Sequence, residues 1–198
     1  MNDAPRRHAP GDLRTHRVWD APVRVLHWLL AASLLGAGLT SQWGVAWHQP
    51  LGWVAAAAAL LRVAWGLPWG TAAARARRRY ALFAGFVRTP RATLAYAAQW
   101  RHGREPRFIG HNPLGGWMVL ALLGSALGLA ASGWLYTTDA LFGDARVEAV
   151  HDVLAWALPA LVGLHLAGVV LAGRRHRDRL VRAMVDGRKR PPDPGDID

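Results

Sequence analysis

Three long stretches of this 198-residue chain, residues 25–61, 108–138 and 153–173, contain no Asp, Glu, Lys or Arg. Their lengths are 37, 31 and 21 residues, and about 20 apolar residues suffice to cross the hydrocarbon core of a bilayer. A soluble fold does not leave such runs uncharged, so the chain reads as an integral membrane protein. The first stretch is too long for one crossing: as a single helix it would extend about 55 Å against a core of about 30 Å. Polar and glycine positions at Thr40, Ser41, Gln42 and Gly44 offer a turn near its middle. The expected fold is therefore all-α, a four-helix bundle spanning the membrane, with helices over about 22–41, 47–67, 113–134 and 147–172. Asn112-Pro113 supplies a cap and a first-turn proline for the third helix, and Pro68 follows the second.

Charge placement gives the orientation. The chain carries 24 basic and 13 acidic residues, a net +11. Five arginines precede the first helix, nine lie between the second and third, and seven arginines with Lys189 follow the fourth. The two opposite loops hold only Arg146, beside Asp139, Asp144 and Glu148. Positive residues stay on the cytoplasmic side, so both termini and the middle loop are expected there. The excess charge is thus a topology signal with room for anionic-lipid contact, and nucleic acid is not an expected partner. Residues 1–17 lack the apolar run of a cleaved leader and read as a flexible cytoplasmic segment. Residues 18–175 form the membrane domain, and 176–198 a cytoplasmic tail whose Pro/Gly/Asp-rich end reads as disordered. In the middle loop, residues 80–86 and 90–100 space aromatics as short amphipathic surface helices do.

The chain has no cysteine, which excludes thiolate zinc sites, iron–sulfur clusters and covalently attached haem. Any cofactor must be held by other groups, and nine histidines are present. Five of them, His27, His48, His111, His151 and His165, fall in or beside the expected spans, where an ionisable residue is costly and points to function. His151 and His165 are 14 residues apart, which on one helix leaves them about 40° apart around the axis and about 21 Å apart along it. They share a face and lie toward opposite membrane surfaces. At the outer depth the only partner for His151 is His48; at the inner depth His27 matches His165, with His111 as a possible third. A bare metal ion would want three or four clustered protein ligands. A haem already fills four positions and asks for two axial imidazoles, so two separate pairs suit two non-covalent b-type haems.

Neighbouring residues agree with that chemistry while leaving other readings open. Gly52 follows His48 by four residues and Gly168 follows His165 by three. Each lets a flat ring approach the helix, or equally lets two helices pack closely. Arg62 lies 14 residues after His48, on the same face at inner depth, where a haem propionate would neutralise it. Arg24, one turn before His27, offers a second such contact or a snorkelling flank.

The segments around Val18-Trp19-Asp20 and His27, Trp47-His48 to Gly52, Arg62 to Gly66, Gly110 to Gly115, and Val150-His151 through His165 to Gly168 resemble those of prokaryotic cytochrome b561 proteins. The likeness extends to the b-type cytochrome subunits of nickel–iron hydrogenases and covers about residues 17–175. It implies an inner-membrane di-haem electron carrier that commonly oxidises or reduces quinone, with His27 and His165 on the inner haem and His48 and His151 on the outer. His111 is no ligand in that pattern; it is left to contact a propionate or a quinone oxygen, or to help Asn112 cap the third helix. Lipid and a quinone pool are the implied partners, together with a redox protein such as a cytochrome, dehydrogenase or hydrogenase. For proton transfer at a quinone, His111 and Asp20 stand at the inner edge and Asp139, Glu148 and Asp152 at the outer. Two readings of other classes compete: a small transporter relaying protons or metal ions through its histidines, and a membrane anchor for a redox enzyme.

Overall fold

The computed structural model describes residues 15–43 and 45–198, so most of the expected flexible segment 1–17 lies outside the described residues. Four long helices dominate: α1 (Ala21–Thr40), α2 (Val45–Gly66), α6 (Pro113–Tyr136) and α7 (Ala145–His176). Between them lie the short α3 (Ala72–Arg77), α4 (Phe83–Phe86) and α5 (Pro90–Arg101). The chain ends with α8 (Leu180–Asp186) and a two-residue strand, β2 (Arg188–Lys189), paired antiparallel with β1 (His16–Arg17). The long helices stand where the uncharged stretches and their caps predict.

Local chemistry fixes the ends. Asp20 accepts from the Val23 N–H at 2.9 Å ahead of Pro22, and Asn112 accepts from Gly115 N–H at 2.7 Å ahead of Pro113. Asp144 takes the Arg146 and Val147 N–H groups at the start of α7. Each carboxylate or amide satisfies amide donors that the first helical turn leaves unpaired. α7 runs past the uncharged stretch into Arg174, Arg175 and His176, and the two arginines are cations that suit the negative end of a helix dipole.

Three helices, α1, α6 and α7, are long and apolar enough to cross a membrane. The fourth, α2, has the length at 22 residues but carries His48, Gln49 and Arg62, which dilute its apolar character. Its small residues do the packing instead: Ala55, Ala56, Ala58 and Ala59 are all buried. A core of Ala59, Leu123 and Ala126, flanked by Leu30, Leu34 and Val63, joins α1, α2 and α6. α2 lies against both α1 and α6, and α7 lies along α6, with no comparable contact between α7 and either α1 or α2.

One end of the bundle is closed by three segments that meet there. Val18, Trp19 and Val23 pack with Ala81, Ile109 and Ala183, so the N-terminal segment, the middle loop and the tail share one apolar cluster. This end, expected to be cytoplasmic, is called inner below. The tail differs from its expected disorder. Ile197 pairs with Phe108 through backbone bonds to Arg107 and Ile109, and Arg107 is buried against Asp178 and Asp196. Its composition favours disorder, but the burial of these ion pairs and of Lys189 outweighs the flexibility of its prolines and glycine. In the middle loop α5 is pinned to α6, where Trp117 Nε1–H donates to Thr93 Oγ1 and Arg88 O.

Gly187 makes the turn into the tail possible. Its φ is +79°, its carbonyl accepts from Val18 and Trp19 N–H, and a Cβ there would meet the Trp19 carbonyl at 2.5 Å. Gly187→Ala is expected to destabilise the inner end by about 1–3 kcal/mol, seen as a lower thermal midpoint in detergent; an unchanged midpoint would mean the turn relaxes without cost.

Candidate cofactor site

Four histidines on the long helices fall into two groups. At the outer end His48 on α2 faces His151 on α7, ring centres 6.1 Å apart and planes at 73°. An imidazole nitrogen lies about 2 Å from a metal it ligates and roughly 1 Å from its own ring centre, so two rings sharing one axial ion have centres about 6 Å apart. The observed spacing fits that requirement.

Both rings are also set in one tautomer. His48 Nδ1 lies 2.9 Å from the Ala37 carbonyl, which can only accept, so Nδ1 carries the proton. Ser132 Oγ donates to the Gly128 carbonyl at 2.8 Å and has no second proton, so His151 Nδ1–H donates to it at 3.0 Å. In each neutral imidazole the lone pair is then on Nε2, and the second-shell bond fixes the ring as metal-ligating histidines require. Gly133 lets the ring sit there, since a Cβ at that position would come within 3.2 Å of His151 Cε1.

At the inner end His27 on α1 and His165 on α7 lie within electrostatic reach of each other. His27 Nδ1 is buried with no hydrogen-bond partner among the described residues. Arg62, 7% exposed, donates Nη2–H to the Ala81 carbonyl at 3.1 Å and lies over the Phe83 ring. Its Nη1 is buried and unpartnered among the described residues. Arg24 donates from Nη1 to the Val185 carbonyl, leaving Nε buried and without a partner. Buried donors without acceptors are rare and costly; a carboxylate-bearing ring between these helices would supply the missing acceptors.

The remaining expected residues divide. A Cβ on Gly52 or Gly168 would meet nothing within 4 Å, whereas one on Gly36 would meet Leu51 at 3.0 Å. The first two therefore border open space beside His48 and His165, and Gly36 serves helix packing. Capping of α6 belongs to Asn112 alone. His111 lies instead between Trp19 and Phe86, ring centres 4.6 and 4.5 Å away. Its Nδ1 is buried without a partner. Burial foremost, then the charges of Lys189, Arg62, His165 and His27, push it down to about 3, so it is neutral at any physiological pH. Asp20 spends its second oxygen on Trp65 Nε1–H at 2.9 Å.

Sequence reasoning missed Ser132, Gly133 and Lys189. Ser132-Gly133 was findable as a polar-small pair near the outer end of an apolar helix, at the depth of His151. Lys189 was hidden among the flanking cations.

α7 makes its close contact with α6, while His151 on it faces His48 on α2. Among the described residues no three of His, Cys, Asp and Glu gather as ligands for a bare ion. Paired imidazoles, fixed tautomers and unpartnered buried donors fit a planar metallocofactor with acidic side groups. The family model described as prokaryotic cytochrome b561 matches residues 18–187. Comparison with curated proteins and with solved structures gives no match.

Proposed function

The chain belongs to the prokaryotic cytochrome b561 family, membrane proteins that bind b-type haem and transfer electrons, and we propose that it carries two haems, one in each histidine layer. His48 with His151 would hold the outer haem and His27 with His165 the inner, while Arg62 and Arg24 would take propionates. Gly52 and Gly168 would let the rings lie close to α2 and α7. Bound haem supplies one-electron Fe(III)/Fe(II) chemistry with no bond broken in the protein. The chain's own contribution is to fix the imidazoles and to surround each layer with different charge.

The observation that carries this reading is the 6.1 Å separation of His48 and His151 with both Nδ1 atoms bonded away from the shared space. In this reading α2 is a fourth crossing despite its polar residues, because His48 and Arg62 would face cofactor rather than lipid. The arginine distribution supports an arrangement with both termini and the middle loop on the cytoplasmic side. A quinone/quinol pool at one end and a redox protein at the other are proposed on the sequence resemblance, and with them a place in a respiratory chain. Among proton-handling groups at the inner end, His111 is neutral and can donate a hydrogen bond to a quinone oxygen or accept one from a quinol hydroxyl.

The test is a pyridine-haem assay on purified protein with independent protein quantification. Two haems per chain are expected, with a Soret band and a reducible α-band; one haem per chain, or none after expression with ample haem, would overturn the proposal.

A further inference from the structure

Charge is distributed unequally between the two layers. Among the described residues the buried cations are Arg62, Arg78, Arg107 and Lys189, and all four belong to the inner end. Carboxylates face some of them, and the Glu105 side chain, 3% exposed, is shielded at the same end against Arg175. Asp178 and Asp196 pair with Arg107, and Asp20 acts on Arg62. Among the described residues the outer pair has no buried cation beside it; the charge acting on His151 from a carboxylate is that of Asp152, with Glu148 one turn before it in the same helix.

Lys189 is the least expected member of this set. It lies two residues beyond the matched family span, on a tail strand, yet it is 8% exposed. Its Nζ donates to the carbonyls of Ile109 at 2.9 Å and Gly110 at 3.3 Å and sits 5.5 Å above the centre of the Trp19 ring. Trp19 in turn packs on His111, which feels the charges of Lys189, His27 and His165 alike. Contacts thus lead from the ammonium through Trp19 to His111, and the remaining step to the inner histidines is electrostatic. Burial lowers Lys189 to about 8, with Asp178 opposing and Arg107 adding to the shift, so the group is charged at neutral pH.

We propose that Lys189 is a tuning residue for the inner haem: its buried ammonium raises that centre's reduction potential and helps set it above the outer one. The inference rests on the two-haem reading above. Reduction adds one electron to the centre and makes no bond, so a nearby fixed positive charge favours the reduced state, and in a poorly screened interior it does so at a distance. The tail is then a working part of the inner redox site rather than an appendage.

Equilibrium redox titration of the full-length protein, followed in the α-band, tests this. The parent should show two one-electron waves, and the wave lost in His27→Ala identifies the inner centre. Lys189→Met should move that wave to lower potential and leave the other in place. Lys189→Arg, which keeps the charge, should restore it. Arg188→Gln removes a charge from the exposed neighbour on the same strand and should move neither. The inference is overturned if Lys189→Met moves neither wave or both equally, if Lys189→Arg behaves like Lys189→Met, or if Arg188→Gln has the same effect. Should Lys189→Met prove unstable, Lys189→Gln with the same readout decides. A parent protein with a single wave and one haem per chain would instead sink the two-haem reading.

Discussion

Replacing His48 or His151 with alanine is expected to remove the same haem, halving the haem per chain and leaving identical residual spectra. The two rings face each other at a spacing that suits one shared axial ion, and each is held by its own anchor, Ala37 O for His48 and Ser132 Oγ for His151. Losing either ring would leave the cofactor held by a single imidazole, with little to retain a group that is not covalently attached. His27→Ala and His165→Ala should match each other in the same way and spare the outer haem, because His165 lies about 21 Å from His151 along the axis of α7. Haem stoichiometry and low-temperature α-band spectra of the four variants check the pairing. If His48→Ala and His27→Ala left the same residual spectrum, the assignment of layers would fail. Ser132→Ala is a milder perturbation of the same pair, since it frees the His151 ring without removing it.

Much of this was legible in the sequence, and for a physical reason. In a bilayer the absence of charge over 21 to 37 residues is so strong a constraint that it locates helices almost without propensities, and Asp20, Asn112 and Asp144 then fix their starts. Depth follows from helix rise, so the two-layer sorting of His27, His48, His151 and His165 needed only counting. What could not be counted is anything that depends on which helices touch. The hydrogen bond from His151 to Ser132 joins α7 to α6, and that from His48 to Ala37 O joins α2 to α1; neither has a local signature. The order of the tail is illegible in the sequence for the same reason. Residues 190–196 have the composition of a disordered end, and the partners that order it, Arg107 and Phe108, lie more than 80 residues earlier. Arg24 and His111 show the limit from the other side: counting along the chain puts each at the inner edge, but the Val185 carbonyl that Arg24 bonds and the Trp19–His111–Phe86 stack are products of tertiary packing.

Arg107 is expected to be the residue on which the inner closure depends most. Its side chain is 4% exposed, as is that of Asp178, and that of Asp196 is 10% exposed. The guanidinium forms a two-point contact with Asp178 through Nε at 2.8 Å and Nη2 at 2.9 Å, the geometry in which arginine and carboxylate bind most firmly. Its other donors go to Asp196 and to the carbonyls of Arg190 and Pro191. Arg107→Met strands two carboxylates and two carbonyls away from water, and breaking a buried pair from one side costs about 3–5 kcal/mol. Lysine would not restore the contact, because a single ammonium cannot reproduce the planar fork. The measurable consequences are a lower thermal midpoint and faster proteolytic cleavage of the tail, with Arg107→Lys close to Arg107→Met in both. Acid should act on the same joint. Burial pushes the Asp196 carboxyl upward, but the Asp193 N–H, the Arg107 contact and the charges of Arg107 and Arg190 outweigh it and hold it below the usual carboxylate range. A depressed folded-state pKa contributes stability that is complete above the unfolded value of about 4 and is lost as pH falls through the folded one. Tail cleavage should therefore rise below about pH 4 in the parent and be less dependent on pH in Arg107→Met, where the contact that depresses the pKa is gone. A tail equally resistant with and without Arg107 would show that the apolar cluster of Val18, Trp19, Ile109 and Ala183 closes the inner end unaided.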